Sequence, residues 1–368
     1  MPATGNVVLA INAGSSSVKF ALYRMEGSEE TLLFSGSLKD VPNDGSLADW
    51  LTRQPGFDQV TAIGHRVVHG MGHSRPEAIT LNLINELKSF VNYDPEHLPA
   101  EIRLIELFVE KFPNLPQFAC FDTMFHQTMP VVAQTLAIPR RYKQKGIRRY
   151  GFHGISYQYL TEQLSLLSPN GVLSDKVIIA HLGSGASLAA IKNGQSIDTS
   201  MGFTPGAGIP MSTRSGDLDP GVASYLLNQE KLSPTEFNHM VNHEAGLMGV
   251  SETSADISEL LKVRNTDNRA AEAVDLFCYQ VSKYIGAYAA ALGGVDTLVF
   301  SGGIGEHLPD IREQVCSNLG FLGIVLDGNK NTNNADIVSS GRVHVRVMAT
   351  NEALMMARLI TRILTSDI

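Results

Sequence analysis

Two segments far apart in the chain carry the same pattern of apolar and polar positions. In VVLAINAGSSSVKFALY, residues 7–23, a β-branched apolar run stops at a glycine and three serines. Val18, Phe20 and Leu22 then alternate with Lys19, Ala21 and Tyr23. Apolar runs on both sides of a polar break predict strand, tip, strand. The segment KVIIAHLGSGASLAAIKNGQ, residues 176–195, repeats the plan. Setting Val8 on Val177 brings Gly14 onto Gly183 and Ser15 onto Ser184, an offset of 169 residues. Solenoid repeats recur every ~20 to 50 residues, so this spacing indicates a duplicated domain instead.

Later in the chain the period changes to that of a helix. In residues 267–294, Val274, Phe277, Val281, Ile285 and Tyr288 recur every three or four positions, with Asp267 or Asn268 to cap the start and Gly293 or Gly294 to end it. TLVFSGGIGE, residues 297–306, reads as an apolar strand running into glycines, and LPDIREQVCSNL as a helix after it. VHVRVMATNEALMMARLITRIL, residues 343–364, reads as strand then helix. Strands alternating with helices in both halves predict an α/β fold. A chain of 368 residues exceeds one ordinary core, which predicts two domains.

Composition narrows the function classes. The net charge is −8 and no basic stripe dominates, which argues against nucleic acid as a partner. The exception is IPRRYKQKGIRRYGFHG, residues 138–154, with six positive charges between Arg140 and Arg149. It reads either as a solvated connecting face or as a hinge whose charge attracts an anionic ligand. Cys120, Cys278 and Cys316 stand far apart with neither disulfide nor zinc spacing, as expected of reduced structural thiols. MPATGNVVLAIN has no basic leader region, and no apolar run is long enough to span a membrane, so a cytoplasmic protein is expected.

The common nucleotide signatures GxxxxGK[ST] and GxGxxG are absent. In their place stand three strand-end glycine loops, 12–19, 181–187 and 301–306. Glycine leaves backbone N–H groups open to an anion and serine hydroxyls add donors, so such tips suit a phosphate chain, with Lys19 near enough to add a charge. His65, His69 and His73 stand four apart. That would suggest a metal on a helix, but the adjacent valines and glycines argue for a strand.

INAGSSSVKF, GHRVVHG, FDTMFHQTMP, YGFHG, HLGSGAS, DTSMGFTPGAG, STRSGDLDP, SGGIGE and ATNEA follow one another between residue 8 and about residue 357. In these motifs and their order the chain resembles the acetate and butyrate kinase family of the sugar kinase and actin superfamily. The resemblance implies two duplicated actin-like ATPase (ribonuclease H-like) domains with a cleft between them. Residues 1–148, completed by the C-terminal helix 350–368, would form the first domain, and 149–349 the second. It implies Mg²⁺- or Mn²⁺-dependent phosphoryl transfer between ATP and acetate or another short-chain carboxylate, in a homodimer. Propionate or butyrate kinase is the alternative within the family. A non-catalytic nucleotide- or sugar-binding sensor is the alternative from another class.

A carboxylate acceptor is already ionised at neutral pH, so the reaction needs charge neutralisation and in-line alignment more than a strong base. Arg66 and Arg214, each inside a motif, offer planar donor forks for carboxylate and phosphoryl oxygens. Period two in HRVVH puts Val68 on the face of Arg66, an apolar neighbour for a short acyl tail. By resemblance Phe152 and Pro205 extend that wall and His97 is an active-site neighbour. Asp122, after an apolar strand-like run, is placed to hold Mg²⁺. The resemblance adds Glu352 and Asn12 to the metal and phosphoryl site, with Asn12 also contacting the γ-phosphate. It makes His153 a transition-state contact and His181 a phosphate-side one. It gives Ser15, Ser17, Lys19, Gly183, Ser184 and Gly185 to the phosphates, and Asp256, Gly302, Gly303, Ile304 and Gly305 to the nucleoside.

Four positions depart from the family pattern. Glu96 stands where an apolar pocket residue is usual, so it either faces solvent or marks a different pocket. Ser184 replaces asparagine and Met71 a glycine. SADISEL lacks the arginine common near the nucleoside.

Overall fold

Where apolar residues alternate or run unbroken, the chain extends into eleven strands among the described residues: β1 (Asn6–Ala13), β2 (Val18–Glu26), β3 (Glu29–Leu38), β4 (Ala62–Val67), β5 (Glu77–Ala78), β6 (Gln117–Phe121), β7 (Lys176–Leu182), β8 (Ala186–Lys192), β9 (Gln195–Thr199), β10 (Thr297–Ser301) and β11 (His344–Val347). The structure, a computed structural model, describes residues 5–13, 18–38, 46–168 and 175–366. The first sheet has the order β3-β2-β1-β4-β6-β5, and the second, read from its other end, β9-β8-β7-β10-β11. In both, the first hairpin and its next neighbour pair antiparallel and the following two strands parallel, so five strands correspond one to one. The repeat is therefore structural. It breaks at the tip: Ala13↔Val18 brackets four residues, 14–17, whereas Leu182↔Ala186 brackets three, 183–185. Ser15 and Ser17 lie outside the described residues.

The chain divides into two compact units, one made of Met1–Gln127, His153–Tyr159 and Asn351–Ile368, the other of Thr128–Phe152 and Leu160–Thr350. In the first unit both faces of the sheet are buried around its parallel strands β1, β4 and β6, as such strands require. Val8 and Ala10 face one core with Met355, Met356 and Ile360 of the helix Glu352–Ser366. Val7, Leu9 and Ile11 face the other with Leu47, Leu51 and Phe108. The C-terminal helix crosses β4 at Gly64, where a Cβ would overlap the Ile360 side chain.

In the second unit the helix Asn268–Leu292 packs on β7 and β8. Asp267 caps it, accepting from the Arg269 and Ala270 N–H groups, and Gly293 ends it at φ 69°. Val274, Phe277, Val281, Ile285 and Tyr288 are all buried. The segment after β10, expected as a loop, is instead the helix Gly302–His307. Its last turn is held by Arg312, a fully buried guanidinium whose Nη1 donates to the carbonyls of Gly305 (2.8 Å) and Glu306 (3.1 Å). Arg312 Nε donates to Asn331 Oδ1 at 2.8 Å.

The basic segment is in part a solvated face and in part tied to the second unit's own backbone and rings. Arg140, Arg141, Lys143 and Lys145 are exposed. Arg149 Nη1 donates to the carbonyls of Thr199, Ser200 and Met201, and Arg148 stacks on the Tyr150 ring. The three cysteines are buried and free, and burial pushes the Cys278 and Cys316 thiols up to about 12. No helix among the described residues is long and apolar enough to cross a membrane.

His65, on β4, is buried, its Nε2 2.9 Å from Gln117 Oε1 and its Nδ1 without a partner. Burial lowers its pKa from 6.5 to about 4, with Gln117 opposing. Between those values the unfolded chain takes up a proton that the folded chain refuses, so stability falls as pH drops. Denaturant unfolding from pH 7 down to pH 4 is expected to show about 3 kcal/mol of loss from this group. His65→Leu should remove that part of the slope, and an unchanged slope would show that the ring protonates freely in the fold.

Candidate active site

The parallel strands β1, β4 and β6 end on one edge of the first sheet, where α/β folds collect ligand-binding groups. Asn12 lies near the end of β1, Arg66 near the end of β4, and Asp122 follows β6 directly. The register sets Ile11 beside His65 and Arg66 beside Cys120, which brings the three side chains together. Arg66 Nε and Nη2 both donate to Asp122 Oδ2, the first at 3.0 Å. Arg66 Nη1 donates to Asn12 Oδ1 at 3.0 Å, and Asn12 Nδ2 donates to Glu352 Oε2 at 2.7 Å. Four sequence-predicted site residues thus form one chain of polar contacts.

Burial works against the charge on Arg66, but Asp122 and then Glu352 outweigh it, so its pKa moves up and the guanidinium is permanently charged. Burial pushes Asp122 up; Arg66 and the His153 backbone N–H oppose this. With Oδ2 committed to Arg66, Asp122 Oδ1 is buried with no hydrogen-bond partner. A desolvated carboxylate oxygen without a donor suits a hard cation. No group of three or more His, Cys, Asp or Glu side chains among the described residues could cage a metal alone. Two carboxylates completed by water and phosphate oxygens are what Mg²⁺ takes, so the Asp122–Glu352 edge fits that ion. The three spaced histidines do not converge: His65 meets Gln117, His69 Nδ1 accepts from the Met71 N–H, and His73 meets Glu77.

His153 sits at φ 59°, left-handed, and opens the helix Gly154–Leu167 by accepting the Tyr157 N–H at 3.0 Å. Gly154 donates to the Asp122 carbonyl at 2.8 Å, and a Cβ there would overlap that oxygen. The final glycine of YGFHG is therefore a close-approach residue.

Val68 is buried one residue past β4. Its N–H donates to both oxygens of Glu101, at 3.3 and 3.1 Å. Glu101 is 3% exposed and Asp94 2%. Asp94 Oδ1 lies 2.9 Å from His97 Nδ1. Burial, then Asp94, pushes Glu101 well above the carboxylate range; Arg66 opposes this. Glu96, the acid questioned from the sequence, is exposed. The two buried acids were missed, although a signal existed: Glu101 falls on the stripe Leu98, Ile102, Ile105, Phe108, the apolar face of its helix.

The second unit repeats the geometry. β7 and β10 are parallel neighbours with His181 opposite Ser301, so the 183–185 tip and Gly302 leave the same edge. Gly302, at φ 76°, lies so close to the Leu182 backbone that a side chain is excluded. Gly183 N–H closes the tip on the Gly185 carbonyl, and Ser212 N–H ties it to STRSG through the Ser184 carbonyl, each at 3.2 Å. Gly303 and Ile304 continue the first turn from Gly302. Arg214 sits on a segment clamped by Ala245, Leu247 and Met248 N–H groups donating to Thr213, Met211 and Ser212 carbonyls. Its Nη1 donates to the carbonyl of buried Pro205 at 3.3 Å. Phe152 is buried, and the preceding Tyr150 and Gly151 donate to the Gly202 carbonyl. Asp256 is exposed and caps the helix Ile257–Val263, accepting the Ser258 N–H at 2.8 Å. Lys19 is exposed opposite Asn12 in the first hairpin. Met71 adopts φ 48°, the left-handed region that glycine occupies without strain.

The model of the Acetokinase family matches residues 46–358. The chain belongs to that family. An acetate kinase of Rhodopseudomonas palustris is 39% identical, with 97% of this chain and 98% of the relative covered. The solved acetate kinase of Porphyromonas gingivalis is 34% identical with a TM-score of 0.85, covering 98% of this chain and 100% of that one. A propionate kinase of Francisella tularensis is 35% identical with a TM-score of 0.88, covering 96% and 98%. With these acetokinase relatives the chain shares the actin-like ATPase fold.

Gly154→Ala tests whether the close approach to Asp122 matters. A displacement of about 1 Å at a reacting group costs roughly 10²-fold, so turnover should fall by that order with the far-ultraviolet circular dichroism unchanged. Turnover within a factor of two of the parent would show that the Asp122 backbone need not be held there.

Proposed function

We infer that this acetokinase transfers the γ-phosphoryl group of ATP to acetate, reversibly, giving acetyl phosphate and ADP. The Glu352–Asn12–Arg66–Asp122 chain on the strand-end edge is the observation that carries the site assignment. An acetate oxygen attacks the γ-phosphorus opposite the β,γ-bridging oxygen. That P–O bond breaks, its electron pair leaves on ADP, and no proton needs to move because acetate arrives ionised.

Both reactants are anions, so their approach is governed by fixed positive charge. Arg66, oriented by Asp122 and Asn12, and Arg214, oriented by its clamped segment, are the residues assigned to supply it. His153 and His181 donate to phosphoryl oxygens. Val68, Phe152, Pro205 and His97 receive the acid. The glycine and serine tips with Ser15, Ser17, Lys19, Gly183, Ser184 and Gly185 receive the phosphates, and the Gly302 to Gly305 turn with Asp256 the nucleoside. Asp122 and Glu352, with Asn12, would hold Mg²⁺, which when bound neutralises phosphate charge. The partner-free Asp122 Oδ1 supports this.

Likeness to a propionate kinase favours propionate as the second acid. Exposed Leu218, Val222, Tyr225 and Tyr279 in the second unit support a homodimer built there. Three buried thiols support a reducing, cytoplasmic setting.

Arg66→Ala and Arg214→Ala should each lower turnover by roughly 10²-fold or more, since one preorganised charged donor contributes about 3 kcal/mol to a transition state. Hydroxamate trapping of acetyl phosphate measures this, and near-parental turnover in both variants would overturn the assignment. The same assay in excess chelator should read no product until Mg²⁺ is restored. Full rate in chelator would remove Asp122 and Glu352 from the metal role.

A further inference from the structure

The phosphoryl site leaves one buried cluster unused. Glu101, on the helix Leu98–Lys111, and Asp94, in the loop before it, are both almost wholly buried. Glu101 takes the Val68 N–H on both oxygens, Asp94 Oδ1 meets His97 Nδ1, and Asp94 Oδ2 is buried with no partner. A carboxylate on the apolar stripe of a helix costs stability unless it holds something in place. What these two hold are the first-unit residues assigned to the acid.

We propose that Glu101 and Asp94 are positioning residues for the acceptor acid: Glu101 fixes the Val68 backbone and Asp94 the His97 ring, together setting the acyl tail the pocket accepts. The proposal rests on the assignment of Val68 and His97 to that pocket. Val68 follows Arg66 by two residues, so a shift of its backbone moves the apolar wall relative to the guanidinium that receives the carboxylate. The groups facing Glu101 are Asp94 from the preceding loop, Arg66 from β4 and Asp122 from the end of β6. Burial and the facing Asp94 push the Glu101 carboxyl well above the carboxylate range, which favours a retained proton there. Its loss at higher pH adds negative charge near Arg66 and weakens acetate binding.

Glu101→Leu leaves the Val68 N–H unsatisfied, which corresponds to about a tenfold effect. KM for acetate should rise by that order while KM for ATP stays within twofold, and preference for acetate over propionate should narrow. Glu101→Gln, which still accepts the Val68 N–H, should restore KM for acetate and flatten its rise between pH 6 and pH 9. Equal changes in both KM values, or pH profiles of Glu101→Gln and the parent that superimpose, would overturn the proposal; the second readout stands even where Glu101→Leu fails to fold. Val68→Ala separates the two readings. If it shifts acid preference while the Glu101 variants do not, the pocket stands and the positioning role falls. If neither shifts acid preference, the pocket assignment itself falls and the positioning role with it.

Discussion

The Arg66–Asp122 ion pair is the constraint on which the functional edge of the first unit depends. Both charges are largely out of water, so each would be costly alone, and breaking such a pair strands the survivor. Two guanidinium nitrogens on a single carboxylate oxygen leave the other oxygen open. The two oxygens are therefore unlike: one holds the arginine, the other is buried with no hydrogen-bond partner. Asn12 and Glu352 extend the pair to a strand and a helix drawn from opposite ends of the sequence.

Within each unit the backbone is held by close approaches that side chains would prevent. Gly154 lies against the Asp122 carbonyl, Gly302 against Leu182, and Gly246, at φ 60°, against Met211. Gly154 of YGFHG and Gly302 of SGGIGE are thus packing requirements. Met71 shows the contrary case, a bulky residue in the left-handed region, its carbonyl held by Gln127 Nε2 at 2.9 Å.

Duplication explains why the two units present similar edges. Matching strand orders bring the ends of β1 and β4 together in one sheet and of β7 and β10 in the other. The copies have diverged in what stands there: Asn12, Arg66 and Asp122 in the first, and in the second His181 beside a three-residue tip and a glycine turn. One arrangement concentrates charged side chains, the other a histidine and glycines.

Much of this was legible in the residues. A β-branched apolar run marked β1, period two marked β2, and period 3.6 marked the helix Asn268–Leu292 with its cap and its glycine stop, because these patterns depend on neighbours within a few positions. The repeat at Val8 and Val177 announced the second sheet, and motif resemblance named the family. The sequence did not reveal that GGIGE turns directly into a helix, since that follows from Gly302 meeting the Leu182 backbone and Arg312 binding the Gly305 and Glu306 carbonyls. Nor did it separate Glu96 from Asp94 and Glu101, three acids close in the chain. Burial and the distant Val68 N–H decide which of them acts, and such contacts exist only once strands and helices remote in sequence have packed together.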